Sequence, residues 1–84
     1  MSSPDHSPVT LDTVLSGDKA RIVSVKAKGQ LRKRLLEMGI IPGAIIESIR
    51  LAPLGDPVEF RVKGYNLSIR KGDAACIEVV MEVE

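Results

Sequence analysis

The chain has 84 residues, 44% hydrophobic and 27% charged, with a formal net charge of +1. That is one small globular domain, burying roughly 60–65% of its unfolded surface, enough for one core but not for a core plus a deep catalytic cleft. Its two aromatic residues, Phe60 and Tyr65, argue against a base-stacking platform for nucleic acid, and the near balance of charge argues against a general nucleic-acid binder.

The balance is uneven along the chain. Seven basic residues and no acid lie between Lys19 and Arg34, and four acids and no base between Gly72 and Glu84. This predicts a basic region and an acidic C-terminal edge. Cys76 is the only cysteine, so no intrachain disulfide forms, which fits a reducing compartment. Apolar runs fall far short of the ~20 residues that span a bilayer. The first ten residues show neither the basic n-region nor the apolar h-region of a secretory signal. The expected location is the cytoplasm, with no direct membrane insertion.

Residues 1–9 are expected to be a disordered tail, because Ser2 to Pro8 contains no apolar residue to offset the entropy of ordering. The domain is then 10–84. Thr10 is placed to cap a short turn in which Leu11, Val14 and Leu15 cover one end of the core. Lys19 to Val25 reads as a strand with apolar residues on both faces, as in a strand buried on both sides. Gln30 to Met38 reads as a helix, with Leu31, Leu35 and Met38 on one stripe and Leu36 beside it. Its end is specified: Gly39 suits the left-handed position, Ile40 folds back toward Leu35, and Pro42 forbids continuation. Pro42-Gly43 suits a type II turn.

Ala44 to Leu51 is the next strand, and Ala52 to Pro57 a loop stiffened by two prolines. Val58, Phe60 and Val62 then alternate with polar residues. Gly64-Tyr65 suits a two-residue hairpin turn pairing Val62 with Leu67 and Phe60 with Ile69. Lys71 to Ala75 is a turn, and Ile77 to Val83 the last strand. Five short strands with one short helix between the first two predict a mainly β fold: a small, partly open, strongly bent SH3-like barrel.

Few residues carry chemistry. His6 is alone in the tail and Cys76 alone in a strand, and no spacing suits a structural or catalytic metal. No nucleophile motif or phosphate-binding loop is present, so no enzyme, resident metal or cofactor is expected. Lys26, Lys28, Arg32, Lys33 and Arg34 are a solvated face, a docking surface for an acidic partner, or a nucleic-acid contact, the last disfavoured by the missing aromatic interleaving. Arg32 or Arg34 could also serve as an arginine finger in a partner's nucleotide site. Leu54 fits no alternation; it either caps the open barrel end or marks a contact.

The run from Gly29 to Gly43, the loop Ala52-Pro53-Leu54-Gly55-Asp56-Pro57, and the segments Gly64-Tyr65 and Leu67-Ser68-Ile69-Arg70-Lys71 together resemble the three motifs of the FeoA family, from about Leu11 to Val83. These are small SH3-like proteins associated with bacterial ferrous-iron uptake. The resemblance implies a cytoplasmic interaction module that docks on and regulates FeoB, a membrane ferrous-iron transporter with a GTP-binding domain. It also implies a candidate contact surface at Leu31, Arg32, Arg34, Leu35 and Leu36 on the helix and at Pro53, Leu54, Gly55, Asp56 and Pro57 in the loop. The alternatives are a regulatory domain related to the C-terminal SH3-like domain of DtxR-type metal-dependent repressors, and a modulator of the transporter's GTPase. Weak self-association through the edge of the last strand or of the Ala44 strand is a further expectation.

Overall fold

A computed structural model of the chain describes residues 7–82. The first six residues of the expected tail, His6 among them, and Val83 and Glu84 of the expected last strand lie outside the described residues. The elements in chain order are β1 (Val9–Thr10), a 3-10 turn (Leu11–Thr13), β2 (Lys19–Val25), α1 (Gly29–Glu37), β3 (Ile45–Leu51), β4 (Val58–Val62), β5 (Tyr65–Ile69), α2 (Lys71–Ala74) and β6 (Ile77–Met81). The strands form one antiparallel sheet in the order β1-β6-β2-β3-β4-β5. The outer strands do not pair with each other, so the mainly β sheet stays open as expected.

The sixth strand was not anticipated. Val9 pairs with Val79 and Thr10 with Glu78, which brings Val9 out of the expected tail and into the sheet. The edges of the sheet are therefore β1 and β5. The last strand and the Ala44 strand are interior in the sheet order, β6 between β1 and β2 and β3 between β2 and β4, but β1 covers β6 only at Val79 and Glu78, and β2 pairs with β3 only at Ile45, Ile46 and Glu47. Thr10 makes no side-chain cap; instead the Thr13 hydroxyl donates to the Thr10 carbonyl at 2.7 Å. Leu11 and Val14 enter the core, whereas Leu15 is exposed.

The two-sided apolar pattern of β2 has a local cause. Ala20 and Ile22 face inward, then the register against β6 shifts between Ile22 and Ser24. The extra residue, Val23, bulges outward and inverts the phase, so Val25 also faces in. The strand is buried on one face, not two. The β4–β5 hairpin also differs from its expected register. Val62 pairs with Tyr65, Phe60 with Leu67 and Val58 with Ile69, so the turn is Lys63-Gly64. Both residues have positive φ (54° and 87°), the geometry whose twist matches paired strands. A two-residue slip conserves parity, so apolar residues still meet apolar residues.

Phe60, Leu11, Ile22, Leu35, Ile40, Ile46, Ile77, Val62 and Val79 are fully buried. Each large side chain removed from water in this way contributes about 1.5–3 kcal/mol. The end of α1 has the geometry its sequence specifies. Gly39 sits at φ 95°. Its N–H donates to the Leu36 carbonyl at 3.0 Å, and the Ile40 N–H reaches back to the Leu35 carbonyl at 3.0 Å. Ile40 thus enters the core. The Pro42-Gly43 turn closes through the Ala44 N–H and Ile41 carbonyl at 3.1 Å, with Gly43 at φ 93°.

Candidate protein-docking surface

The basic and acidic stretches of the sequence partly cancel in space. Arg21 on β2 forks onto Glu82, with Nη2 at 3.1 Å and Nε at 3.4 Å from its carboxylate oxygens. Lys26 lies 3.9 Å from Glu78, which also accepts a hydrogen bond from the Ser24 hydroxyl at 3.0 Å. Among the described residues, the positive charge that forms no ion pair lies elsewhere, and part of it flanks α1.

Helix α1 rests on the sheet through Leu35, which is 1% exposed, and through the half-buried Leu31, Leu36 and Met38. Arg32, though exposed, bends back onto the sheet: its Nη1 donates to the Val25 carbonyl at 2.6 Å, pinning the helix to the end of β2. Lys33, Arg34 and Glu37 face solvent. The C-terminal end of the helix is fastened by Tyr65, whose hydroxyl donates to the Met38 carbonyl.

The loop between β3 and β4 is a built structure. A turn is closed by the Gly55 N–H on the Ala52 carbonyl at 2.7 Å, and the loop base by the Ala52 N–H on the Pro57 carbonyl at 3.0 Å. The Asp56 carboxylate accepts the Lys71 backbone N–H at 2.9 Å, tying the loop to the start of α2. The Asp56–Pro57 peptide is cis. On this frame Leu54 is 96% exposed. It therefore does not cap the barrel. Leu51, 50% exposed, stands at the foot of the loop.

A cleft of about 280 Å³ opens between helix and loop, lined by Arg34, Leu35, Met38, Pro57, Ile69 and Arg70. Ser68 and Asp73 complete its wall. Of the residues expected to make contact, Arg34, Leu35 and Pro57 thus meet in one place. Pro53, Leu54 and Asp56 are exposed on the adjoining loop, with Gly55 half-buried. Leu31 contributes to the outer helix face beside Arg34. Leu36 is half-buried against the core and does not line the cleft. Leu35 is a core residue that also lines the cleft, and Arg32 is exposed with Nη1 bonded to the Val25 carbonyl. Met38 and the segment Ser68 to Asp73 were missed. The signal for the latter was present, because Ser68 to Lys71 belongs to the third motif, but nothing in the sequence says that this motif faces the helix.

Among the described residues, no group of three or more His, Cys, Asp or Glu is placed to hold a metal ion, and no helix is long and apolar enough to cross a membrane. The surface offers shape, apolar contact and cationic charge.

Residues 9–81 match the FeoA domain family. A Porphyromonas gingivalis protein described as an Fe(2+) transport protein A/Fe(2+) transporter FeoB fusion is 49% identical over 82% of this chain. The chain spans only 8% of that protein's length. The solution structure of a FeoA protein from Chlorobium tepidum superposes with a TM-score of 0.84 at 36% identity, covering 89% of this chain and 71% of that one. The Stenotrophomonas maltophilia FeoA, described as a prokaryotic SH3 domain protein, superposes at 0.73 with 24% identity over 88% and 89% of the two chains. At the level of fold alone, a manganese-dependent transcriptional repressor superposes at 0.81 with 15% identity, over 96% of this chain and 45% of that one.

Proposed function

This chain belongs to the FeoA family, and from that premise we propose that it is a cytoplasmic accessory protein that docks on a FeoB-type ferrous-iron transporter and regulates it. The observation that carries the reading is Leu54, almost wholly exposed on a hydrogen-bonded, proline-stiffened loop whose Pro57 lines the cleft beside α1. An apolar side chain held out on a braced surface loop suits contact with a partner, since binding residues concentrate on loops positioned by a scaffold. The fusion of a FeoA-type segment to FeoB in a relative supports the choice of partner. Regulation acts through contact, by changing the assembly or nucleotide cycle of the transporter.

Titration of the protein against the transporter's GTP-binding domain and cytoplasmic segments tests this. Expected is saturable binding that Leu54→Asp weakens by about tenfold or more, or ~1.4 kcal/mol, with circular dichroism unchanged. Absence of binding to every one of these parts at tens of micromolar overturns direct docking.

A further inference from the structure

We propose that the cleft between α1 and the β5–α2 corner receives an apolar side chain from an acidic peptide segment of the docking partner, with Arg70 reading the acidic flank. The inference rests on the docking function proposed above and adds the chemistry of what enters.

Two features of the cleft define that occupant. Its volume of about 280 Å³ lies at the small end of the range for ligand-enclosing pockets, ~300–1,000 Å³, while Leu35, Met38, Pro57 and Ile69 supply its apolar lining. It thus suits a single anchoring side chain. Its charge then selects the surroundings of that anchor. Asp73, the one acid lining the cleft, already faces Arg34, with Nη2 and Oδ2 3.5 Å apart. The nearby Asp56 carboxylate is engaged with the Lys71 N–H. Arg70 is exposed at the cleft and forms no ion pair among the described residues. Lys33 stands beside Arg34 on the outer face of the helix, likewise without an ion pair among the described residues. Glu37 lies beside Lys33 and Arg34 and Asp56 keeps its charge, but at the cleft itself Arg34 and Arg70 face the single acid Asp73, so a carboxylate next to the anchor would meet net positive charge and a basic flank would be disfavoured.

The probes are a hexapeptide of two leucines flanked by pairs of glutamates, its lysine-flanked counterpart, and phosphatidylglycerol vesicles. Binding is read by backbone amide and methyl chemical shifts, and for vesicles by sedimentation. The expected result is saturable shifts at Met38, Ile69 and Arg70 with the glutamate peptide only, weakened about fivefold by Arg70→Gln, more by Arg70→Glu, and weakened by salt. Equal binding of the lysine peptide, shifts mapping away from the cleft, or no saturable shift at millimolar peptide overturns the proposal. So does sedimentation with vesicles that Arg70→Glu abolishes while the peptide fails to bind, since the cleft charge would then serve a lipid surface. If the transporter binds wild type and Arg70→Glu equally but rejects Leu54→Asp, the acidic-anchor inference falls and the docking function stands.

Discussion

A Cβ atom placed on Gly39 would lie 2.8 Å from the Tyr65 hydroxyl oxygen. The hydroxyl is held in place by donating to the carbonyl of Met38, the residue before that glycine. Two motifs 26 positions apart in the chain thus meet at the end of α1, and the glycine is required both by its backbone conformation and by its neighbour. Gly39→Ala is expected to cost about 1–2 kcal/mol for the left-handed φ alone, with a further penalty from the hydroxyl. Tyr65→Phe alone should cost about 0.5–1.5 kcal/mol. In a double-mutant cycle by urea denaturation, Gly39→Ala should be milder by at least ~0.5 kcal/mol in the Tyr65→Phe background. Additive costs would mean that the added methyl fits beside the hydroxyl without disturbing its bond to Met38.

The Asp56 carboxylate and the Lys71 N–H couple the exposed loop to α2. Removing the acceptor with Asp56→Ala should lower stability by about 0.5–1 kcal/mol, in the lower range for a lost helix cap because solvent reaches the site. Asp56→Asn, which keeps an acceptor oxygen, should restore most of it. Amide exchange at Lys71 and Gly55 should quicken in the alanine variant and not in the asparagine one.

Leu35 and Leu54 were equal candidates for contact, but their burial separates them. Leu35→Ala should destabilise by about 2–5 kcal/mol, as for truncation in a packed core. Leu54→Ala should stay within about 0.5 kcal/mol of wild type, because at 96% exposure it packs on almost nothing. Thermal melts decide the matter, and a large loss for Leu54→Ala would place it in the fold.

The two helix arginines divide in the same way. Arg32 bonds the Val25 carbonyl at 2.6 Å, and Arg32→Ala should lower stability by about 1 kcal/mol, a charged hydrogen bond discounted for partial exposure. Arg34, with a 65% exposed side chain 3.5 Å from Asp73, should contribute less than about 0.5 kcal/mol. If binding to the transporter falls for Arg34→Ala and not for Arg32→Ala at matched fold, the outer helix face contributes to docking.

Local structure was legible where the sequence names a unique conformation. Gly39, Ile40 and Pro42 specified how α1 ends because few residue orders make that end. Alternation supplies only parity, so it could not see the outward bulge at Val23 or separate the Val62–Leu67 register from the Val62–Tyr65 register. The hairpin also required a lysine, Lys63, to take a positive φ, which sequence rules reserve for glycine and asparagine. Strand β1 was invisible because two residues carry no periodicity and are held by pairing with β6. The cleft was legible only in pieces. Its lining comes from α1, Pro57 and the Ser68–Asp73 stretch, and only the sheet order brings them together.

The hydrogen bonds that brace the Ala52–Pro57 loop have a consequence for how contact is made. A flexible loop would lose about 1–2 kcal/mol of backbone freedom per residue on capture. Here that loss belongs to folding, so in the docking proposed above Leu54 would arrive preorganised and the association would not wait for the loop to order. A small interface then suffices for useful affinity, and differences between partners should appear mainly in how long the complex lasts.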